Sequence, residues 1–143
     1  MKMVYAKKAL EDLKIGDFSL FPKTISASDI MLFAGTTGDL SPVYLNDEFG
    51  ATTCFGARVA PPMLVAGMLG GAIFRLLSPD AYPVSREFRT IKPFYVGDTL
   101  TARAEVAAID PEAQQVTLRL TAYNNAGEVV MEGTSVESMN LRK

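Results

Sequence analysis

The chain has 143 residues, of which 48% are hydrophobic and 21% charged, and its formal net charge is −2. This length is typical of one domain, and the composition excludes a disordered or low-complexity protein. The slight acidity gives no basic field for nucleic acid or an anionic membrane, so we expect neither as a partner.

The N-terminal part of the sequence predicts a strand and then a short helix. Residues 1–8 carry charge with no apolar stretch behind them, which is not a secretory signal, so we expect a cytoplasmic protein. Residues 18–25 are typical of a strand, in which Pro22 indicates an edge position or a bulge. Ser26 opens a capping box, and the helix that follows is expected to give way to a loop at 35–42.

The middle of the chain predicts one long apolar helix. Its start is marked by Pro61-Pro62, because proline fits the first helical turn. Residues 63–77 are apolar on every side except for one arginine, which predicts burial in every direction beneath a sheet. Glycine is costly inside a helix, so we expect another part of the protein to approach the backbone closely at Gly67, Gly70 and Gly71.

After this helix, apolar residues recur at every second position. Residues 84–92 form the first predicted strand of this part. Apolar and polar residues alternate over 100–108 and again over 116–122, and an Asn-Asn-Ala-Gly turn then leads into a strand over 128–136. These are half-buried antiparallel strands, so the predicted class is α+β, with an antiparallel meander folded around the long helix.

The sequence contains no histidine and only one cysteine, Cys54. A Ser-His-Asp triad, a Cys-His pair and a histidine-based metal site are therefore excluded. No spacing of the carboxylates indicates a set of metal ligands, and we predict no metal. Catalysis in this chain would have to use carboxylate, phenol, hydroxyl, amine, thiol or backbone groups.

Three segments carry recognisable motifs. Residues 38–44 read Gly-Asp-Leu-Ser-Pro-Val-Tyr, residues 55–64 read Phe-Gly-Ala-Arg-Val-Ala-Pro-Pro-Met-Leu, and residues 93–98 read Pro-Phe-Tyr-Val-Gly-Asp. In this order they resemble the MaoC-like dehydratases and (R)-specific enoyl-CoA hydratases. The corresponding family patterns are Gly-Asp-x-Asn-Pro-x-His, Phe-Gly-x-x-[Ile/Val]-Ala-His-Gly-Met-Leu and Pro-x-x-x-Gly-Asp. The resemblance covers nearly the whole chain.

The resemblance implies a single MaoC-like domain over residues 1–143 with a hotdog fold, normally paired as a homodimer or heterodimer with the acyl thioester at the interface. The implied activity is a hydro-lyase acting on enoyl or 3-hydroxyacyl groups of the fatty or polyketide type. Their carrier is coenzyme A or acyl-carrier protein, whose phosphopantetheine belongs to the substrate, and no separate cofactor is expected. We expect the acyl group in an apolar tunnel beside the central helix, where the three glycines leave room.

The chain departs from the family pattern where the chemistry takes place. Asp39 matches the catalytic aspartate, but Tyr44 stands at the histidine position, and the His-Gly pair at the helix start is Pro61-Pro62. Because proline has no N–H, an oxyanion hole would need the Met63 N–H and the positive end of the helix. The resemblance therefore predicts Asp39 and Tyr44 as catalytic residues. It also predicts substrate contacts at Ser41, which replaces the family's asparagine, and at Pro62, Met63 and Gly67.

Three functional hypotheses remain open at this stage. A phenol has a pKa of about 10 and donates a hydrogen bond at neutral pH, so Tyr44 could act as a general acid or orient water for Asp39. The first hypothesis is a hydratase or dehydratase with this pair, and the retained Gly38-Asp39 favours it. The second is a non-catalytic thioester-binding or partner subunit of a hotdog heterodimer. The third is altered chemistry, such as thioester hydrolysis or cyclisation.

Several basic residues are candidates for contacts with the phosphates of coenzyme A. They are Arg58, Arg86, Arg89 and Lys92. Isolated basic side chains more often lie on solvated strand faces, and we favour that interpretation for these four.

Overall fold

The computed structural model describes residues 4–142, and the predicted strands and the two predicted helices occur in it in the predicted order, with two short helices in addition. A 3-10 turn at Leu10–Asp12 comes first, and then β1 (Phe18–Thr24), α1 (Ala27–Thr37), α2 (Pro42–Leu45), α3 (Asp47–Thr52), α4 (Pro62–Leu77), β2 (Tyr82–Thr90), β3 (Thr99–Asp110), β4 (Gln115–Tyr123) and β5 (Val129–Ser138). The predicted α+β class and the long helix are confirmed.

The five strands form one antiparallel sheet in the order β1-β3-β4-β5-β2. Strands β3, β4 and β5 follow one another as in the predicted meander, whereas β2, the first predicted strand of this part, lies beside β5. Strand β1 pairs with β3 and β2 pairs with β5, so each of these two strands forms one edge of the sheet. Pro22 lies in β1, which agrees with its prediction as an edge position because proline cannot donate to a ladder.

The inner face of the sheet supplies one half of the core. The alternating residues of β4, Val116, Leu118 and Leu120, have no exposed surface, and burying each such side chain contributes about 1.5–3 kcal/mol. Ala108, predicted on the same face of β3 as Val106, is exposed instead. The register between β3 and β4 shifts between Val106 and Ala108, and such a bulge reverses the faces beyond it.

Helix α4 supplies the other half of the core, but it is not buried in every direction as its sequence predicted. It packs mainly against β1, β3 and β4, so Val65 and Leu69 are inaccessible while Met63 and Phe74 are 64% and 67% exposed. Within one chain the sheet covers one side of the helix. The other flank is open.

The three glycines of α4 differ in their surroundings. A Cβ on Gly71 would lie 2.8 Å from the Phe21 ring of β1, so the predicted close approach is confirmed there. A Cβ on Gly70 would be in ordinary contact with Arg86, at 3.5 Å, and one on Gly67 would meet nothing within 4 Å. The prediction of a close approach is therefore wrong at Gly67, which lies on the open flank.

Helix α1 begins at the predicted capping box. The Ser26 hydroxyl accepts the Asp29 N–H at 3.1 Å, and the Asp29 carboxylate accepts the Ser26 N–H at 2.8 Å. The helix continues through Thr37, two residues beyond the predicted start of the loop, and ends at Gly38 with a left-handed φ of +76°. This cap directs the chain into the segment that carries Asp39.

The turn after α4 joins the segment before β1 to the segment after β5. The Asp80 carboxylate accepts the Lys8 N–H at 2.6 Å and pairs with Arg142. The hydrogen bonds from Arg142 and Lys8 lower the pKa of Asp80 to about 2. This carboxylate therefore has a structural role.

In residues 4–142, no helix combines the length and apolar character needed to cross a membrane.

Candidate active site

Tyr44 is carried by the short helix α2. Pro42 opens this helix, and the Tyr44 N–H donates to the Ser41 carbonyl at 3.0 Å. The Val59 N–H donates to the Val43 carbonyl at 3.2 Å, which holds α2 against the segment that precedes α4. These backbone bonds place the half-buried Tyr44 side chain near the start of the central helix.

A cavity of about 310 Å³ lies between α2, the start of α4 and the segment after β2. Its lining is mostly apolar and consists of Val43, Tyr44, Phe55, Val59, Ala60, Pro62, Thr90, Ile91, Lys92, Pro93 and Phe94. Pro62 is the first residue of α4. The cavity is therefore an apolar pocket with a phenol in its wall and a helix N-terminus beside it, as in many small-molecule sites.

Asp39 lies outside this lining, on the exposed segment after α1. Its N–H donates to the Thr37 hydroxyl at 3.2 Å, and its carboxylate accepts the Ser41 N–H at 3.4 Å. Its charge nevertheless acts on Tyr44. The structure thus brings the two predicted catalytic residues into one neighbourhood, with Tyr44 in the cavity wall and Asp39 in solvent beside it.

The environment keeps the Tyr44 phenol protonated. Burial raises its pKa above the ordinary 10.0, and the negative charge of Asp39 raises it further. Both effects disfavour the phenolate. At neutral pH Tyr44 is consequently a hydrogen-bond donor to whatever occupies the cavity.

The start of α4 offers one backbone N–H next to the cavity. Pro61 and Pro62 have none, and Leu64 donates its N–H to the Pro61 carbonyl at 3.0 Å. Met63 therefore carries the first N–H of the helix, at its positive end, where helix N–H groups lack an intrahelical acceptor. Its side chain is 64% exposed, so only its backbone is suited to this site.

The other predicted substrate-binding residues are spread over the region. Pro62 lines the cavity, Ser41 precedes α2 and accepts the Tyr44 N–H with its carbonyl, and Gly67 lies more than one turn along α4 on its open flank. The three glycines do not line this cavity, which lies at the end of the helix. Sequence reasoning missed Phe55 and Phe94 as wall residues, although both belong to the recognised motifs.

The four basic residues considered for phosphate binding each face an acidic partner. The Lys92 Nζ lies 3.0 Å from the Glu128 Oε2, and the Arg86 Nη2 lies 2.8 Å from the Glu137 Oε1. Arg89 pairs with Glu132. The Arg58 Nε lies 3.5 Å from the Asp47 Oδ1.

In the described part of the chain, no three acidic or cysteine side chains lie close enough together to bind a metal ion.

An antiparallel sheet packed on one long helix is the hotdog fold, and here the helix N-terminus meets an apolar cavity. The chain belongs to the MaoC-like family, because the model of the MaoC like domain matches residues 16–126. An (R)-specific enoyl-CoA hydratase of Rhodospirillum rubrum is 41% identical over 86% of this chain and 85% of its own length. A 3-hydroxybutyryl-CoA dehydratase of Methylorubrum extorquens is 35% identical over 88% of this chain and 80% of its own.

Solved structures agree with this assignment. The unliganded R-hydratase PhaJ1 of Pseudomonas aeruginosa has a TM-score of 0.86 and 28% identity, covering 94% of this chain and 86% of its own. The (R)-hydratase of A. caviae also has a TM-score of 0.86, with 26% identity over 90% of this chain and 98% of its own. The family and fold predicted from the three motifs are confirmed.

Proposed function

We propose that this protein is a hydro-lyase that adds water to enoyl thioesters and removes it from 3-hydroxyacyl thioesters. The observation that carries the proposal is the apolar cavity with Tyr44 in its wall, Pro62 of α4 beside it and the charge of Asp39 acting on the phenol. The similarity to (R)-specific enoyl-CoA hydratase and 3-hydroxybutyryl-CoA dehydratase supports the same reaction class.

In the proposed reaction, Asp39 moves the proton and Tyr44 positions the water. The Asp39 carboxylate accepts a proton from water while the water oxygen bonds to C3 of the enoyl group. The π electrons pass to the thioester as an enolate, and C2 then takes the proton from the Asp39 carboxylic acid. The Tyr44 hydroxyl donates to the water oxygen throughout, because its raised pKa keeps it protonated.

The enolate oxygen requires a donor, and the start of α4 provides one. The Met63 N–H is the first of the helix, and the helix dipole adds positive potential at the same end. Pro62 contributes shape and apolar contact. In this proposal the thioester carbonyl binds at the helix N-terminus, and the reacting carbons C2 and C3 lie beside Tyr44.

A non-catalytic thioester-binding or partner subunit is the second candidate function. The observation that favours it is the phenol itself, because a group whose pKa is raised above 10.0 cannot replace a histidine base at neutral pH. Under this alternative the cavity binds the acyl thioester, and a second hotdog chain carries out the reaction.

The decisive experiment measures hydration of crotonyl-CoA, longer enoyl-CoA species and enoyl acyl-carrier protein by wild type and Asp39→Asn. The substitution preserves the shape and removes the proton acceptor, so we expect kcat to fall by about 10²–10⁴-fold. Glu48→Gln is the matched control, since Glu48 is an exposed acid on the neighbouring helix α3, and it should retain wild-type turnover.

Two results would contradict the proposal. If Asp39→Asn turns over at the wild-type rate, Asp39 is not the acid–base group. If wild type binds acyl thioesters in calorimetry but hydrates none of them, the partner-subunit function replaces the enzyme function.

A further inference from the structure

Two consecutive threonines end helix α1, and one of them also contacts the residue that follows the helix. The Thr36 hydroxyl donates to the Leu32 carbonyl at 2.8 Å. The Thr37 hydroxyl donates to the Phe33 carbonyl, also at 2.8 Å, and its oxygen accepts the Asp39 N–H at 3.2 Å. The Thr37 hydroxyl thus joins the last turn of α1 to the backbone of the residue that carries the proposed acid–base group.

The orientation of Asp39 depends strongly on this hydroxyl. Gly38 ends the helix in a left-handed conformation, and Asp39 itself is exposed. The Asp39 carboxylate accepts the Ser41 N–H at 3.4 Å, which is long for a hydrogen bond. The bond to Thr37 is the shorter of these two contacts, and it fixes the peptide from which the Asp39 side chain begins.

The orientation of the Asp39 carboxylate matters because its partner comes from another element. Asp39 follows α1, whereas Tyr44 belongs to α2 and lies in the cavity wall. Burial raises the pKa of Tyr44, and the charge of Asp39 raises it further, so the two groups are within electrostatic reach. In the proposed reaction both groups contact one water, and a misplacement of about 1 Å in such a site can cost roughly 10²-fold in rate.

We propose that Thr37 is a positioning residue, whose hydroxyl holds Asp39 in the orientation that places its carboxylate beside Tyr44. A hydroxyl suits this role because it donates and accepts at once. Its donation to the α1 carbonyl directs the lone pair that receives the Asp39 N–H. The inference rests on the proposed function and adds a residue on which its proton transfer depends.

The first test is kinetic and compares substitutions at two neighbouring positions. Thr37→Val keeps the shape and removes both hydrogen bonds, so we expect kcat with crotonyl-CoA to fall about three- to tenfold with little change in KM. Thr37→Ser keeps the hydroxyl and should stay within about twofold of wild type. Thr36→Val is the matched control, because this equally exposed threonine makes the same bond to a helix carbonyl and does not bond Asp39.

The second test measures the pKa of Tyr44 and needs no turnover. Fluorine NMR of protein labelled with fluorotyrosine follows each tyrosine separately, and the resonance lost in Tyr44→Phe assigns this one. In Thr37→Val the negative charge is no longer held beside the phenol, so its pKa should fall towards the value in Asp39→Asn. Thr37→Ser and Thr36→Val should keep the wild-type value. Lys92, the other titratable side chain in the cavity wall, is the same in every variant.

The two tests together separate positioning from a merely structural role. Equal losses of kcat in Thr37→Val and Thr36→Val would overturn the proposal, because the helix end and not the contact with Asp39 would then be responsible. An unchanged pKa of Tyr44 in Thr37→Val would overturn it as well. Thr37→Ala repeats both tests with a smaller side chain, in case valine disturbs the helix end. If wild type hydrates no enoyl thioester, the proposed function fails, and the pKa comparison still decides whether Thr37 positions Asp39.

Discussion

At the scale of single residues, the proposed site depends on Tyr44, which stands where the resemblance to the family implies a histidine. A histidine at this position could accept a proton near neutral pH, whereas Tyr44 has a pKa raised by burial and by Asp39. The proposed chemistry therefore depends on one carboxylate for proton transfer. Tyr44 contributes a hydrogen bond, and the predictions for its substitution follow from that difference.

For Tyr44→Phe we expect kcat to fall by up to about tenfold, because a neutral hydrogen bond contributes about 0.5–1.5 kcal/mol. This loss is smaller than that for Asp39→Asn. For Tyr44→His we expect activity to rise if the cavity otherwise suits the family's reaction, and the pH profile should gain a limb near about 6.5 from the new imidazole.

Steady-state kinetics from pH 5 to 9 with crotonyl-CoA measure both effects. The pH profile of wild type should have no limb in this range from the titration of Tyr44, because the pKa of Tyr44 lies above 10.0. A Tyr44→Phe loss as large as that of Asp39→Asn would assign proton transfer to the phenol. If Tyr44→His neither gains activity nor changes the profile, the position does not contact the reacting water.

At the scale of elements, contacts with β1 help to position α4. The Phe21 ring lies against Gly71 and also beneath the Arg75 guanidinium, 4.6 Å from the ring centroid. The Arg75 Nη1 donates to the Leu20 carbonyl at 2.8 Å. The ring is thus held from two sides, and α4 can approach the ring this closely because position 71 has no side chain.

We expect Gly71→Ala to destabilise the protein by about 1–3 kcal/mol, because a Cβ 2.8 Å from Phe21 forces the ring or the helix to move. Gly35→Ala in α1 is the control, since a Cβ there meets nothing within 4 Å and should stabilise by about 0.5–1 kcal/mol. Urea unfolding monitored by circular dichroism measures both. If Gly71→Ala stabilised the protein as much as Gly35→Ala, the Phe21 ring would move aside without cost, and the prediction would be wrong.

At the scale of the whole molecule, two unpartnered surfaces are adjacent. Strand β2 is exposed along nearly its whole length at the edge of the sheet, and Phe74 of α4 is 67% exposed beside it. Open edges and apolar flanks of this kind favour pairing with another chain. We propose a homodimer in which two sheets continue across their β2 edges.

Sedimentation at micromolar concentration should therefore give twice the mass of one chain. Phe74→Glu places a charge on the proposed interface and should shift the protein towards monomer. Ile15→Glu is the control, because Ile15 is 70% exposed in the turn before β1 and distant from this surface. A stable monomer for wild type, or equal dissociation by both variants, would contradict the homodimer.

The sequence alone determined the five strands, helices α1 and α4, the fold class and the family. Capping at Ser26, the proline start of α4 and the period-two strands are local patterns, and their physical causes act within a few residues. The motif around Asp39 and Tyr44 could be recognised for the same reason. The buried charge of Glu137 was not predicted, because the last predicted strand ended at residue 136.

Only the tertiary structure decided which distant residues meet. The sheet order places β2 beside β5, so Arg86 reaches Glu137 although 51 positions separate them in the chain. The bulge in β3 exposed Ala108, and packing on one side left a flank of α4 open. The structure also placed Tyr44 in the cavity wall and Asp39 in solvent beside it. These outcomes depend on strand pairing and helix placement, which arise from interactions across the whole chain and leave no local pattern.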